Sequence, residues 1–116
     1  MVVTFRMMKW IKVFSMDKLA AKDFLLQVNI PGKRLCMVKE GDQIFAIQNK
    51  CPHAGADLSR GWCRNGTIIC PYHRHEFDLK TGRGKASQGN YINTYPVEIR
   101  ADGVYVGIKE SWWKFW

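Results

Sequence analysis

Two short runs in this sequence have the residue types and spacing for metal chemistry. They are Cys51-Pro52-His53 and Cys70-Pro71-Tyr72-His73, with sixteen residues between them. Each run offers one sulfur and one imidazole donor, and each carries a proline. Both lie between strand-like segments, which places each at a loop tip. A sheet that sets two loop tips side by side makes a four-ligand site. Two thiolates and two imidazoles suit either one zinc ion or a two-iron, two-sulfur cluster. Structural zinc sites usually pair like with like, two Cys on one knuckle and two His on a helix. Here each run is mixed, with unequal spacings of one and two residues.

The elements that must hold these loops read as short antiparallel strands. Trp10–Phe14 alternates as a half-buried strand, and Ser15 is placed to cap a helical turn through Lys18-Leu19-Ala20. Phe24–Ile30, Arg34–Lys39 and Gln43–Gln48 form a meander, turned at Pro31-Gly32-Lys33 and Glu40-Gly41-Asp42. The first loop then runs from Asn49 to about Leu58. Its Ala54-Gly55-Ala56 has little side-chain bulk, so backbone can approach a bound group. Asn65-Gly66 is a two-residue hairpin signal joining Gly61–Arg64 to Thr67–Cys70, and it ties the two loops together. Glu76–Leu79 and a turn at 80–84 follow. Tyr91–Arg100 and Val104–Ile108 close the fold as a hairpin across Asp102-Gly103. One face of it, with Val97, Ile99, Val104, Val106 and Ile108, is expected to be buried. Cys36, inside a strand pattern, reads as a small core residue.

With these residues in view, the stretch from Phe24 to Ile108 resembles a soluble Rieske ferredoxin. Cys-x-His and Cys-x-x-His are that family's ligand runs, and Glu76-Phe77-Asp78 with Thr81-Gly82 strengthens the match. The resemblance implies an all-β fold: an antiparallel β-sandwich or barrel with a small inserted cluster-binding subdomain. The chain is then one domain, 1–116. Its base covers about 10–48 and 86–109, its cluster-binding subdomain about 49–85, and its aromatic tail 110–116. The implied cofactor is one [2Fe–2S] cluster on Cys51, His53, Cys70 and His73, both Cys on one iron and both His on the other. In the family the His-bound iron lies nearer the surface. The implied function is to carry one electron from a reductase to an oxygenase or other metalloenzyme, with no catalysis of its own. The alternatives are a small Rieske subunit of a larger oxidoreductase such as nitrite reductase, or a zinc-stabilised binding module. A complete Rieske oxygenase needs two further His ligands for a mononuclear iron. The sequence holds three His, and only His75 is spare.

Composition bounds the partners. At 116 residues and 47% apolar content the chain suits a single globular domain. No apolar run approaches the roughly eighteen residues of a membrane span, and Met1–Trp10 lacks a signal-peptide pattern; the expectation is a soluble, cytoplasmic protein. Cys36 and Cys63 are then free thiols in a reducing compartment. The formal charge is +8, from 18 Lys and Arg against 10 Asp and Glu. Lys50, Arg60, Arg64, Arg74, Lys80, Arg83 and Lys85 are spread around the two loops, against Asp57, Glu76 and Asp78. A positive ligand-bearing end suits an acidic docking site on a redox partner. No aromatic-and-basic motif argues for nucleic acid. Gly82-Arg83-Gly84 is too short for a dinucleotide fingerprint, so electrons must come from a separate reductase.

The chain departs from the family in places. Arg74 stands where Gly is common, His75 follows it, and Ser87-Gln88-Gly89-Asn90 lacks the prolines of many relatives' third loop. The disulfide positions of high-potential relatives fall at Ala56 and Tyr72, neither of them Cys. Phe77 replaces a Tyr that donates a hydrogen bond in those relatives. Arg74's charge and a donor at His75 would raise the potential, but the missing hydroxyl and disulfide outweigh them and place it in the lower half of the roughly −150 to +300 mV that Rieske centres span. The tail, Ser111-Trp112-Trp113-Lys114-Phe115-Trp116, is expected to pack on the chain's own base, with a partner contact as the rival reading.

Overall fold

In a computed structural model the chain is described over residues 8–52, 55–72, 74–85 and 90–109. His53, His73, most of the third loop and the aromatic tail lie outside the described residues. Ten strands run in order: β1 Met8–Ser15, β2 Phe24–Ile30, β3 Lys33–Glu40, β4 Gln43–Gln48, β5 Trp62–Arg64, β6 Thr67–Ile69, β7 Glu76–Asp78, β8 Thr94–Tyr95, β9 Val97–Arg100 and β10 Gly103–Lys109. Two short 3₁₀ turns, Met16–Ala20 and Leu58–Arg60, are the helical elements among the described residues. The strands form three antiparallel sheets, ordered β1-β10-β9, β2-β3-β4-β8 and β5-β6-β7. This is the all-β architecture the sequence implies.

Strand β3 explains how one chain serves two cores. Leu35, Cys36, Met37 and Val38 are apolar in succession, and all four are fully buried. An unbroken apolar run marks a strand covered on both faces. Leu35 and Met37 join Ile30, Ala46, Tyr95, Val106 and Ile108 in one core. Cys36 and Val38 face the other way, joining Ile47 with Cys51, Leu58, Ile68, Cys70, Phe77, Leu79 and Ile92. The second core therefore holds both loop cysteines. Each fully buried Leu, Ile or Phe in it stabilises the fold by about 1.5–3 kcal/mol.

The meander matches the sequence reading closely: β2 and β4 have the expected bounds, and β3 is one residue longer at each end. Three expectations need correction. The stretch 91–100 is not one strand. Pro96, with no N–H to donate, divides β8 from β9, and its carbonyl accepts the Gly107 N–H at 2.9 Å. Ile99 is half exposed rather than buried, because it lies on edge strand β9 close to the turn, although Val104 opposite it is fully buried. Ser15 stands at the N-terminus of the first 3₁₀ turn but makes no capping bond to the backbone; its hydroxyl donates to the Asp17 carboxylate.

Candidate metal centre

The first loop is fixed from its flanks inward. Asn49 is buried, and its side chain is spent on both sides: Oδ1 accepts the Ser59 N–H at 3.0 Å and Nδ2 donates to Gln27 Oε1 at 3.2 Å. Its carbonyl accepts the Leu58 N–H. One buried amide thus ties the loop's entrance to its exit and to β2. Within the loop, the Cys51 N–H donates to the Ala56 carbonyl and the Gly55 N–H to the Cys51 carbonyl, each at 2.8 Å. Gly55 closes this tight turn at φ +69°; Ala54, beside it in the expected close approach to a bound group, lies outside the described residues.

The second loop caps the β6–β7 hairpin. The Cys70 N–H donates to the His75 carbonyl at 2.8 Å. Arg74 closes the turn at φ +53°, a left-handed conformation that costs an ordinary residue about 1–2 kcal/mol. Such a position favours Gly, which accounts physically for the residue common there in relatives. The β5–β6 hairpin turns through Asn65 at φ +50° and Gly66 at φ +79°, the geometry that an Asn-Gly pair supplies. The Gly66 N–H donates to Glu40 at 2.8 Å, and its carbonyl accepts the Leu79 N–H at 2.9 Å. The hairpin is thereby bound to the end of β3 and to β7.

The result is that Cys51 and Cys70 come together. Both are almost wholly buried, at 1% and 0% exposure. Burial pushes the Cys70 thiol up; the Tyr72 N–H aimed at its sulfur pulls it down; the adjacent Cys51 thiol, which hydrogen-bonds to it, pushes it up again. Two buried neighbouring thiols, hydrogen-bonded to each other, are suited to a cation that would replace their protons. A backbone N–H already pointing at one sulfur is the kind of contact that tunes an iron–sulfur centre. On the sulfur side, the residues present fit a cluster. Among the described residues no group of three metal-binding side chains gathers, and the two imidazole candidates lie outside them.

The remaining cysteines behave differently. Burial, with Cys63 beside it, pushes Cys36 up to about 12. Burial and the Glu40 and Asp23 carboxylates push Cys63 up to about 11. Neither has the electropositive surroundings of a reactive thiol. Their closeness to each other was not legible in the sequence, where 27 positions separate them.

The electrostatics partly match expectation. Arg60, Arg64 and Arg74 are exposed near the loops. Lys85, by contrast, is paired with Glu76 at 3.0 Å. Asp78 accepts the N–H groups of Lys80 and Thr81, which hold its carboxyl below the usual range, Thr81 most strongly. Two aromatics are open to solvent in this region, Tyr72 at 58% and Trp62 at 41% exposure. Sequence reasoning missed Asn49 as the loop's lock. It also missed Gly61 and Gly82, where a Cβ would meet the Ile69 and Ile92 carbonyl oxygens at 1.9 and 2.1 Å. A Gly beside a strand and outside any turn is the signal that would have found Gly61; Gly82, inside the turn at 80–84, carries no such signal.

An all-β chain with two cysteine loops set against one core, one joining β4 to β5 and one capping the β6–β7 hairpin, defines a Rieske-type domain, and the comparisons agree. Residues 9–96 match the family model of the Rieske [2Fe-2S] domain. The ferredoxin component of the Pseudomonas aeruginosa naphthalene 1,2-dioxygenase system is 34% identical over 101 residues, covering 86% of this chain and 96% of the relative. The ferredoxin of carbazole 1,9a-dioxygenase from Nocardioides aromaticivorans superposes with a TM-score of 0.75 at 28% identity, covering 84% of this chain and 96% of that one. A chain of the solved complex of reduced oxygenase and oxidized ferredoxin in carbazole 1,9a-dioxygenase matches with a TM-score of 0.74 at 30% identity, over 84% of this chain and 91% of its own length. The chain belongs to the Rieske family, and its cofactor is one [2Fe–2S] cluster.

Proposed function

We propose that this chain is an electron carrier without catalysis of its own, moving one electron from a reductase to an oxygenase or other metalloenzyme. The observation that carries the reading is the meeting of the buried Cys51 and Cys70 thiols from two loops, each within a Cys-His run. Cys51 and Cys70 would hold one iron and His53 and His73 the other. When bound, the cluster supplies a one-electron couple. The protein's part is to exclude water from the sulfur side through Leu58, Ile68 and Phe77, all fully buried. The Tyr72 N–H donates to the Cys70 sulfur, and exposed arginines present a positive face to a partner. The named relatives, ferredoxin components of dioxygenase systems, support this division of labour. Residues 49–85 act as the cluster-binding unit on a base formed by the other two sheets. No helix among the described residues is long and apolar enough to cross a membrane. Cys36 and Cys63, both kept as thiols, suit a soluble protein of the reducing cytoplasm.

Iron and acid-labile sulfide analysis with the visible spectrum tests the reading. Two irons and two sulfides per chain are expected. Replacing any of Cys51, His53, Cys70 or His73 with Ala is expected to abolish the native spectrum, while Cys63→Ser leaves it intact. One zinc in a colourless protein would overturn the iron reading, and bleaching in Cys63→Ser would overturn the ligand assignment.

A further inference from the structure

Strand β4 ends at Gln48, paired with Leu35 of β3. Beyond that level β3 and β2 continue alone as a hairpin tip, with Asn29 opposite Arg34 and Ile30 opposite Lys33. The chain leaving β4 passes this tip at Asn49-Lys50 and enters the first cluster loop at Cys51. The gap between tip and departing chain is a shallow groove of about 480 Å³, lined by Asn29, Ile30, Gly32, Lys33, Arg34 and Lys50. Three of its six lining residues are cations and none is a carboxylate. Lys50 reaches from it toward the cluster loop, its ammonium donating to the Gly55 carbonyl at 3.4 Å. Sequence reading placed Lys50 near the loops but not Lys33 or Arg34, which the fold brings to it.

We propose that this groove receives an acidic segment of a protein redox partner. The inference rests on the electron-carrier reading and names a recognition site for it beside the first loop. Arg34 can grip a carboxylate through its planar fork, and Lys33 and Lys50 add point charges on either side. Ile30 and Gly32 give the groove an apolar floor against which a chain can lie. Nucleic acid fits less well, because the lining offers no aromatic ring on which a base would stack. A partner seated here contacts Lys50, the residue before Cys51. Complementary charge of this kind sets orientation and encounter rate.

Hexaglutamate peptide, titrated into the cluster-loaded protein at low salt, is the probe. Lys33→Glu/Arg34→Glu is compared with Lys18→Glu/Lys22→Glu, which makes the same charge change elsewhere on the chain. The wild type and the control variant are expected to bind alike, and the groove variant about tenfold more weakly or not at all. No binding to wild type, or equal loss in both variants, overturns the proposal. So does a single-stranded oligonucleotide of equal charge that binds as tightly and depends on the same two residues, since the site would then be a general polyanion surface. The visible spectrum of each variant reports whether the cluster is retained; should Lys33→Glu/Arg34→Glu lose it, Arg34→Gln takes its place with the same expectations. Failure of the carrier reading shows separately, as absent iron or a protein that dithionite does not reduce.

Discussion

Gly82 joins the cluster-side core to the strand that follows it, and replacing it with Ala combines two separable costs. Its φ of +78° is left-handed, which charges an Ala about 1–2 kcal/mol. A Cβ there would also lie 2.1 Å from the Ile92 carbonyl oxygen. Backbone cannot swing aside as a side-chain tip can, and such overpacking costs about 1–3 kcal/mol. Gly82→Ala is therefore expected to destabilise by about 2–5 kcal/mol. At about 4 °C per kcal/mol for a chain of this size, the melting temperature falls by about 8–20 °C. Two companion variants isolate the parts. Gly66 has nearly the same φ, +79°, but open space at its Cβ, so Gly66→Ala carries only the conformational cost. Gly61, at φ −85°, has no left-handed strain but a 1.9 Å approach to the Ile69 carbonyl oxygen, so Gly61→Ala carries only the overlap. The gain from a stiffer unfolded chain is common to all three and leaves the ranking unchanged. Thermal unfolding by circular dichroism, with the visible spectrum followed in parallel, is the assay. Gly61→Ala is also expected to lose cluster at lower temperature than Gly66→Ala, because Ile69 directly precedes Cys70. The reasoning is refuted if Gly82→Ala is no less stable than Gly66→Ala.

Reduction of a redox partner is expected to slow as ionic strength rises through about 0.1 M, where screening acts over about 10 Å; a stopped-flow rate flat in salt would remove Arg60, Arg64 and Arg74 from docking. The midpoint potential is expected in the lower half of the roughly −150 to +300 mV Rieske range, and Phe77→Tyr is expected to raise it if the new hydroxyl reaches a Cys sulfur. Protein-film voltammetry at neutral pH decides both, and a wild-type midpoint well above about +100 mV contradicts the first. Cys63, pushed from 9.0 up to about 11, holds about a hundredfold less thiolate at pH 8 than an unshifted thiol, so iodoacetamide should label it about that much more slowly; labelling as fast as free cysteine would show that burial and the two carboxylates do not act on it.

The strands were legible where alternation was bracketed by turn residues: β2, β4 and the Asn65-Gly66 hairpin follow from local pattern. The reading weakened wherever a neighbour distant in sequence decides the outcome. Pro96 was visible, yet alternation across it outweighed its missing N–H. Ile99 fits the buried pattern but lies at an exposed edge, and strand position is set by sheet order rather than by the strand itself. The ligand runs stood out by spacing alone, and the structure brings their two cysteines together, but the partners that hold the loops could not be found locally. Asn49 looks like any loop amide until Gln27 and Ser59 arrive on either side of it.

Arg74 shows how the two levels combine. From sequence it was a charge in a place where the family often has Gly. The structure adds that the position is left-handed, so a Gly would sit there without strain and Arg does not. The exposed guanidinium, on the second loop and close to Cys70, thus comes with a backbone cost of about 1–2 kcal/mol that no packing contact of a buried side chain offsets. A surface charge returns little stability on its own. Its effect must then be sought in the field at the loop tips, the same field to which Arg60, Arg64 and the groove at Lys33, Arg34 and Lys50 contribute.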